Sequence, residues 1–273
     1  MVKSLIKGLN ILEQFTASRS SLNFQELVSR TGVPKATISR FLRTLTSQGY
    51  LSFDPKYKKY FIGPKIIALG FSALSDMDLR NMAYPYLEEL AEKSHQCINL
   101  GILDDTEVLL ICAERVKKWH ILGINVHVGS RLNLYQTSIG RAILAFLKEK
   151  DFRFLLNKLL EDPNAARHIG PRGKVLIKEL ERVRERGYAL NDEETIKGLR
   201  SIAAPVFNAD GNVAGAVNIP VFSHMVSRKE LIDHYAPLLL NTVKKISLAR
   251  GFTGHKREKS GDSPSIKNLK LIS

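Results

Sequence analysis

The sequence predicts an α+β protein made of a small N-terminal winged helix-turn-helix, a connecting helix and a larger mixed domain. Three observations predict it. Apolar residues recur at helical spacing through the N-terminal segment and give way to a two-strand hairpin pattern. After Cys97, strand-like and helical runs mix in a way that implies a largely antiparallel sheet flanked by helices. Basic charge is segregated: of the net +14, residues 1–65 hold eleven Lys and Arg against three acids, which leaves an excess of only three across residues 66–250. Such a base-rich end is what a polyanion partner requires. At 273 residues the chain has room for one small and one medium module. The expected boundaries are 1–63 for the winged module, 64–78 for the connecting helix, 79–250 for the larger domain and 251–273 for a basic tail.

Leu5, Leu9, Leu12 and Phe15 predict a first helix over about Ser4–Thr16 with one apolar stripe. Asn23 is placed to cap a second helix, with Glu26 completing a capping box. Thr31-Gly32-Val33 forms the turn, and Pro34 suits the first turn of a third helix. In that helix Ile38, Phe41, Leu42 and Leu45 form the buried stripe. Ala36, Arg40, Arg43 and Ser47 then fall on the opposite face, flanked by Thr37, Ser39 and Thr44. Two arginines that can fork onto guanine edges or phosphates, among small and hydroxyl side chains and without a single acid, make a DNA recognition face. Lys35 stands at its start. Tyr50–Phe53 and Tyr60–Ile62 read as a hairpin whose tip, Lys56-Tyr57-Lys58-Lys59, is a basic wing for phosphates or the minor groove. The competing reading is a three-helix bundle with a solvated basic loop. The turn, the charge segregation and the wing together favour double-stranded DNA.

Gly63-Pro64 ends the wing. Lys65–Ser75 is an apolar-rich helix with no obvious intramolecular partner, as a dimer contact would be. A long helix is expected from Asp76 to about Ser94 with Leu79, Met82, Tyr86, Leu87 and Leu90 inward. Strands follow at Ile98–Leu103, Val108–Ala113 and Ile121–Val128. Helices are then expected at about Thr137–Leu147, Phe152–Leu160 and Lys174–Arg186, with a loop at His168–Gly173. A hairpin, Ile202–Phe207 with Val213–Val221, precedes a last helix over about Ser227–Leu248. From Gly251 the composition is too polar to order itself.

Other chemistries find little support. The chain shows no G-x-S-x-G elbow, P-loop, HExxH or dinucleotide fingerprint, so no enzymatic activity and no cofactor are expected. Cys97 and Cys112 are too few for a thiolate zinc site and read as core residues, and the pair His120 and His127 is a weak metal candidate, so no metal is expected. The absence of a bilayer-length apolar run or a signal-peptide pattern predicts a cytoplasmic protein without membrane contact.

The stretch Arg186-Gly187-Tyr188-Ala189-Leu190-Asn191-Asp192-Glu193-Glu194, followed by Gly198-Leu199-Arg200-Ser201-Ile202-Ala203-Ala204-Pro205-Val206-Phe207, closely resembles the signature of IclR-type transcriptional regulators. The order of modules up to about Arg250 does too. The resemblance implies a GAF-like effector-binding domain, a homodimer or homotetramer, and a ligand-responsive regulator of transcription. Val128-Gly129-Ser130-Arg131-Leu132-Asn133-Leu134-Tyr135 with Thr137-Ser138-Ile139-Gly140-Arg141 is most similar to the branch that answers to protocatechuate, 4-hydroxybenzoate or β-ketoadipate, although Asn133 stands where that branch usually has proline.

The residues themselves give an effector site in the same region. A helix starting at Thr137 or Ser138 offers free N–H groups to an anion, with Arg131 just before it and Tyr135 between. A small carboxylate fits. The resemblance adds Ser138 and Ile139, Asn191, Leu199 and Ser201, and Asn218 and Pro220 to that pocket. Asn191 and Ser201 stand where the family often has Asp and Cys, and an uncharged Asn191 removes a repulsion from an anionic ligand.

Overall fold

In the computed structural model, which describes residues 1–16, 19–114 and 126–253, two compact units form, Met1–Met77 and the part that begins at Asp78. The first opens with α1 (Lys3–Glu13). Its buried side is Gly8 and Ile11, with Leu12 and Phe15 packed alongside, whereas Leu5 and Leu9 are exposed. The expected stripe is thus corrected. Phe41 packs within contact distance of Gly8, on the side that faces the core of this unit. Strand β1 (Ser21–Asn23), which the sequence reading missed, leads into α2 (Phe24–Thr31). The capping box forms: Asn23 accepts from the Glu26 N–H at 2.9 Å, and Glu26 accepts from the Asn23 N–H at 2.7 Å. Gly32, at φ +64°, ends α2 in a left-handed turn that favours glycine. α3 (Lys35–Ser47) starts after Pro34 and buries Ile38 and Leu42.

The wing is β2 (Leu51–Asp54) and β3 (Lys59–Ile62), with β1 added on the far side of β3 to give a three-stranded antiparallel sheet in the order β1-β3-β2. α4 (Pro64–Ser75) buries none of its residues within its own unit, and Ile67, Leu69 and Phe71 are exposed.

In the second unit α5 (Asp78–Ser94) begins two residues later than expected and buries Leu79, Ala83, Leu87, Leu90 and Ala91, while Met82 stays outside. A six-stranded sheet follows, antiparallel throughout, in the order β6-β5-β4-β9-β8-β7. Its strands are β4 (Ile98–Asp104), β5 (Glu107–Glu114), β6 (Arg131–Asn133), β7 (Ala189–Asp192), β8 (Leu199–Phe207) and β9 (Val213–Phe222). Two expectations change here. Of the strand placed at Ile121–Val128, residues 121–125 lie outside the described residues and Val126–Val128 is not strand; the edge is β6 instead. The signature segment itself supplies the other edge, β7, too short to stand out by period.

Between the strands lie α6 (Ser138–Leu144), α7 (Glu149–Glu161), α8 (Pro163–Ile169) and α9 (Lys174–Arg186). α8 was not expected. Asp162 caps it by accepting from the Asn164 N–H, with Pro163 in the first turn. The final helix is broken into α10 (Arg228–Glu230), a π turn at Leu231–Tyr235, and α11 (Ala236–Ala249). Pro237, which cannot donate to the turn before it, sits at the restart of regular helix. α6 packs across one sheet face with α7–α9 outside it, while α5 and α11 cover the other. Phe252 stacks on Phe207 at 5.1 Å, so the fold runs beyond the expected end at Arg250. The rest of the predicted tail, 254–273, lies outside the described residues.

Candidate nucleic-acid interface and effector site

The N-terminal unit presents one cationic face. Lys35, Ala36, Ser39, Arg40, Arg43 and Thr44 are exposed on α3, and Thr37 is half-buried. Among the described residues neither Arg40 nor Arg43 forms an ion pair or side-chain hydrogen bond, so both guanidinium forks stay available. Thr44 is less available, because its hydroxyl donates to the Arg40 carbonyl at 3.0 Å. At the wing tip Asp54 accepts from the N–H groups of Lys56 (2.8 Å) and Tyr57 (3.2 Å), and Lys58 adopts φ +51°. That tight turn holds Lys56 and Lys58 exposed. Lys59 pairs with Asn23 and Asp54 in the ladder and is half-buried.

The second unit holds a buried polar layer. Antiparallel register sets Asn191 opposite Ser201, Ser201 opposite Pro220, and Asn218 opposite both Ala203 and Asn99. Directly paired residues share a face, so these side chains all point toward α6. There Ser138 meets Ser201 hydroxyl to hydroxyl at 2.7 Å. Asn99 donates to Asn218 Oδ1 at 3.0 Å, and Asn191 Nδ2 donates to the Gln136 carbonyl and to Thr195 Oγ1, both at 2.7 Å. Ser138, Ile139, Asn191, Ser201 and Asn218 are buried; Leu199 is half-buried on the same side of β8. Gly140 lets α6 lie tight against the segment that leads into it: a Cβ there would be 2.1 Å from the Leu134 carbonyl oxygen.

The loop 192–198 closes over this layer through Arg141, which donates to the carbonyls of Tyr135 and Leu190 and pairs with Glu194 at 2.6 Å. Arg200 ties the same loop down by donating to Asp192, Glu193 and the Ser223 and Val226 carbonyls. Glu193 is held below the usual carboxylate range chiefly by the Gly198 N–H it accepts, helped by the Ser223 hydroxyl.

Two expected members fall elsewhere. Arg131 lies exposed on β6 at the opposite sheet edge, paired with Asp104 and, at 3.2 Å, with Glu107; those bonds raise its pKa further. Tyr135 is buried in the core away from the Ser138–Ser201 pair, its ring 5.9 Å from His168, and lines a cavity of about 360 Å³ with Gln136, Arg141 and Glu194. The N-terminus of α6 also offers little to an anion, since the helix has only seven residues and Thr137 already caps the Gly140 N–H at 3.2 Å. The sequence reading missed Asn99, whose signal was a lone amide inside an apolar strand, and Arg141, which ends the run Thr137-Ser138-Ile139-Gly140-Arg141.

Cys112 is buried, and burial, then the neighbouring Glu114, pushes its thiol up to about 12; Cys97 is only half-buried. His127 Nδ1 donates to the Val128 carbonyl at 2.9 Å, and His120 lies outside the described residues. No helix among the described residues is long and apolar enough to cross a membrane.

Residues 4–55 match the IclR helix-turn-helix domain family, and residues 71–248 match the bacterial transcriptional regulator IclR C-terminal family. The chain is 30% identical over 246 residues to the Pca regulon regulatory protein of Pseudomonas putida, covering 87% of this chain and 80% of that one. It is 29% identical over 253 residues to the p-hydroxybenzoate hydroxylase transcriptional activator of Acinetobacter baylyi, covering 90% of each. Among solved structures, an IclR family transcriptional regulator from Brucella abortus superposes with a TM-score of 0.76 at 28% identity, over 91% of this chain and 93% of that one.

Proposed function

This chain belongs to the IclR family of bacterial transcriptional regulators, whose members are regulators rather than enzymes, and from that premise we propose that it reads a duplex operator and answers to a small organic carboxylate. Arg40 and Arg43 contact base edges from the major groove, with Lys35, Ala36, Thr37, Ser39 and Thr44 around them. Lys56, Lys58 and Lys59 hold the backbone phosphates. The effector occupies the layer between α6 and the sheet, where Ser138, Ser201, Asn191 and Asn218 meet Ile139, Leu199 and Pro220. The single observation that carries this is the burial of so many uncharged hydrogen-bonding side chains on one sheet face, closed by a loop that two arginines staple shut. Asn218 Nδ2 has no partner among the described residues and is free to donate to a carboxylate. The names of the Pseudomonas and Acinetobacter relatives support an aromatic acid within that class.

The protein works as a homodimer or homotetramer, with the exposed Ile67, Leu69 and Phe71 of α4 covered by a second copy. The effector binds one quaternary arrangement better than another and so shifts how two recognition helices meet half-sites about 34 Å apart. The test is the melting temperature of the full chain in 4-hydroxybenzoate and related carboxylates. A ligand that binds only the folded state at about 100 times its Kd adds about 2.7 kcal/mol, so a saturable rise that Ser201→Val removes is expected. No rise with any aromatic or keto acid would overturn the effector assignment.

A further inference from the structure

Asn191, Gln136 and Thr195 form a thin partition between the polar layer and the cavity of about 360 Å³ beside it. Gln136 lines that cavity, and its carbonyl accepts from Asn191 Nδ2 at 2.7 Å and from the Thr195 hydroxyl at 3.3 Å. Asn191 Nδ2 donates to Thr195 as well, at 2.7 Å, and stands opposite Ser201 in the ladder. Arg141, three residues on from Ser138 along α6, lines the cavity together with Glu194. Buried Leu176 and the Tyr135–His168 ring pair give the same space an apolar and aromatic side. Its volume lies within the range of small-molecule pockets.

Two arginines anchor the loop 192–198, and they do so differently. Arg200 binds Asp192, Glu193 and the Ser223 and Val226 carbonyls, which fixes the base of the loop. The tip, residues 194–197, is exposed and bracketed by two left-handed residues, Glu193 at φ +60° and Gly198 at φ +85°. It is held through Glu194, whose side chain is 48% exposed, on Arg141, whose side chain is only 13% exposed. Arg141 keeps its place through other bonds, donating to the Tyr135 carbonyl at 2.9 Å and the Leu190 carbonyl at 3.4 Å. Glu179, also lining the cavity, is gripped by Arg182 at 3.2 Å and Arg186 at 2.8 Å on its own helix. Of these two carboxylates Glu194 is therefore the one that can leave. An ion pair with one member so open to water contributes little net stability, and another carboxylate forms the same charge-assisted bond to a guanidinium.

We propose that this cavity is the vestibule of the effector layer and that Arg141 selects carboxylates for entry. The ligand's carboxylate displaces Glu194 from Arg141, the tip 194–197 lifts and takes Thr195 with it, and the ligand passes Asn191 to reach Ser138 and Ser201. Arg141 holds one carboxylate before and after the exchange, so no cation is left bare. This route rests on the effector assignment above for its destination, and a thiol placed in the layer reports it without any effector.

Ser201→Cys supplies that thiol, and Ser138→Cys is a second reporter should the first variant fail to fold. The full chain is alkylated with iodoacetate or with uncharged iodoacetamide, and mass spectrometry follows the introduced thiol and the native, buried Cys112 separately. Relative to the same two reagents on glutathione, the introduced thiol should favour iodoacetate at least threefold. Arg141→Met should erase that preference. Glu194→Gln, on an exposed loop, should speed labelling by both reagents at least threefold while Cys112 labelling and the melting temperature stay unchanged. A labelling rate that Glu194→Gln leaves unchanged overturns the route, as does a reagent preference equal to that of glutathione. Acceleration at Cys112 as well would mean general loosening and overturns it too. If labelling follows the expected pattern while no acid raises the melting temperature of the unsubstituted chain, the route stands and the effector assignment fails.

Discussion

Arg40 and Arg43 carry the recognition argument at the scale of single residues, because they are exposed and make no side-chain bond within the described residues. Truncating either should leave folding intact, since nothing in the unit rests on it. A bidentate base contact contributes about 1–3 kcal/mol of discrimination, so Arg40→Ala and Arg43→Ala should each weaken operator binding by roughly 10- to 100-fold. Gel-shift titration alongside circular dichroism checks both halves; an unchanged operator affinity would remove that residue from the interface. Cys112 makes a different prediction. Its thiol ionises near pH 9 when exposed and only at about 12 in the fold, mainly because burial opposes the thiolate. The folded state therefore prefers the proton: this contribution to stability is complete below pH 9 and is lost as pH rises toward 12. Denaturation midpoints should fall across that window, and less steeply in Cys112→Ala. A native thiol titration should find Cys112 unreactive at pH 8.

At the scale of elements, two substitutions probe why helices start and sit where they do. Asn23→Ala removes the side chain that caps α2 and should cost about 1 kcal/mol in urea unfolding. Gly140→Ala is more severe, because the added methyl would meet the Leu134 carbonyl oxygen at 2.1 Å and force α6 away from the segment that positions Ser138. Loss of stability together with loss of effector response is the expected outcome. The recognition helix, the capping box and the β8–β9 hairpin were readable in the sequence because each is local: a period, a cap and a turn lie within a dozen residues. Other features were not local. Leu5 and Leu9 match a helical stripe as well as Gly8 and Ile11 do, and only the packing of α2 and α3 against Ile11 decides which side is buried. β6 and β7 have three and four residues, too few for alternation to show, and exist because β5 and β8 offer them edges. The effector candidates were found largely through the signature. Arg131 was misplaced because proximity in sequence to α6 says nothing about acids at the other end of the sheet, and Asp104 and Glu107 hold it there.

For the whole molecule, the distribution of charge separates what reads DNA from what senses the ligand. Residues 1–65 carry a net excess of eight positive charges, against three over the far longer stretch 66–250. Release of counterions gives log K a slope of about −0.9 per phosphate neutralised when plotted against log salt. The wing lysines and the recognition arginines should therefore leave different marks on one measurement. Lys56→Ala with Lys58→Ala removes two exposed cations whose turn is built by Asp54 and backbone N–H groups, so the hairpin remains. That double variant should bind operator and unrelated duplex more weakly by the same factor, with the salt slope reduced by about 2. Arg43→Ala should instead lower the ratio of specific to non-specific affinity. Adding the effector should change neither slope by more than the arginine and lysine contacts allow, because residues 66–250 bring little net charge of their own. Fluorescence anisotropy over a salt series, with operator and scrambled duplex in parallel, distinguishes these outcomes. If the wing variant lost specificity while keeping its slope, the lysines would be reading bases and the division of labour between α3 and the wing would be reversed.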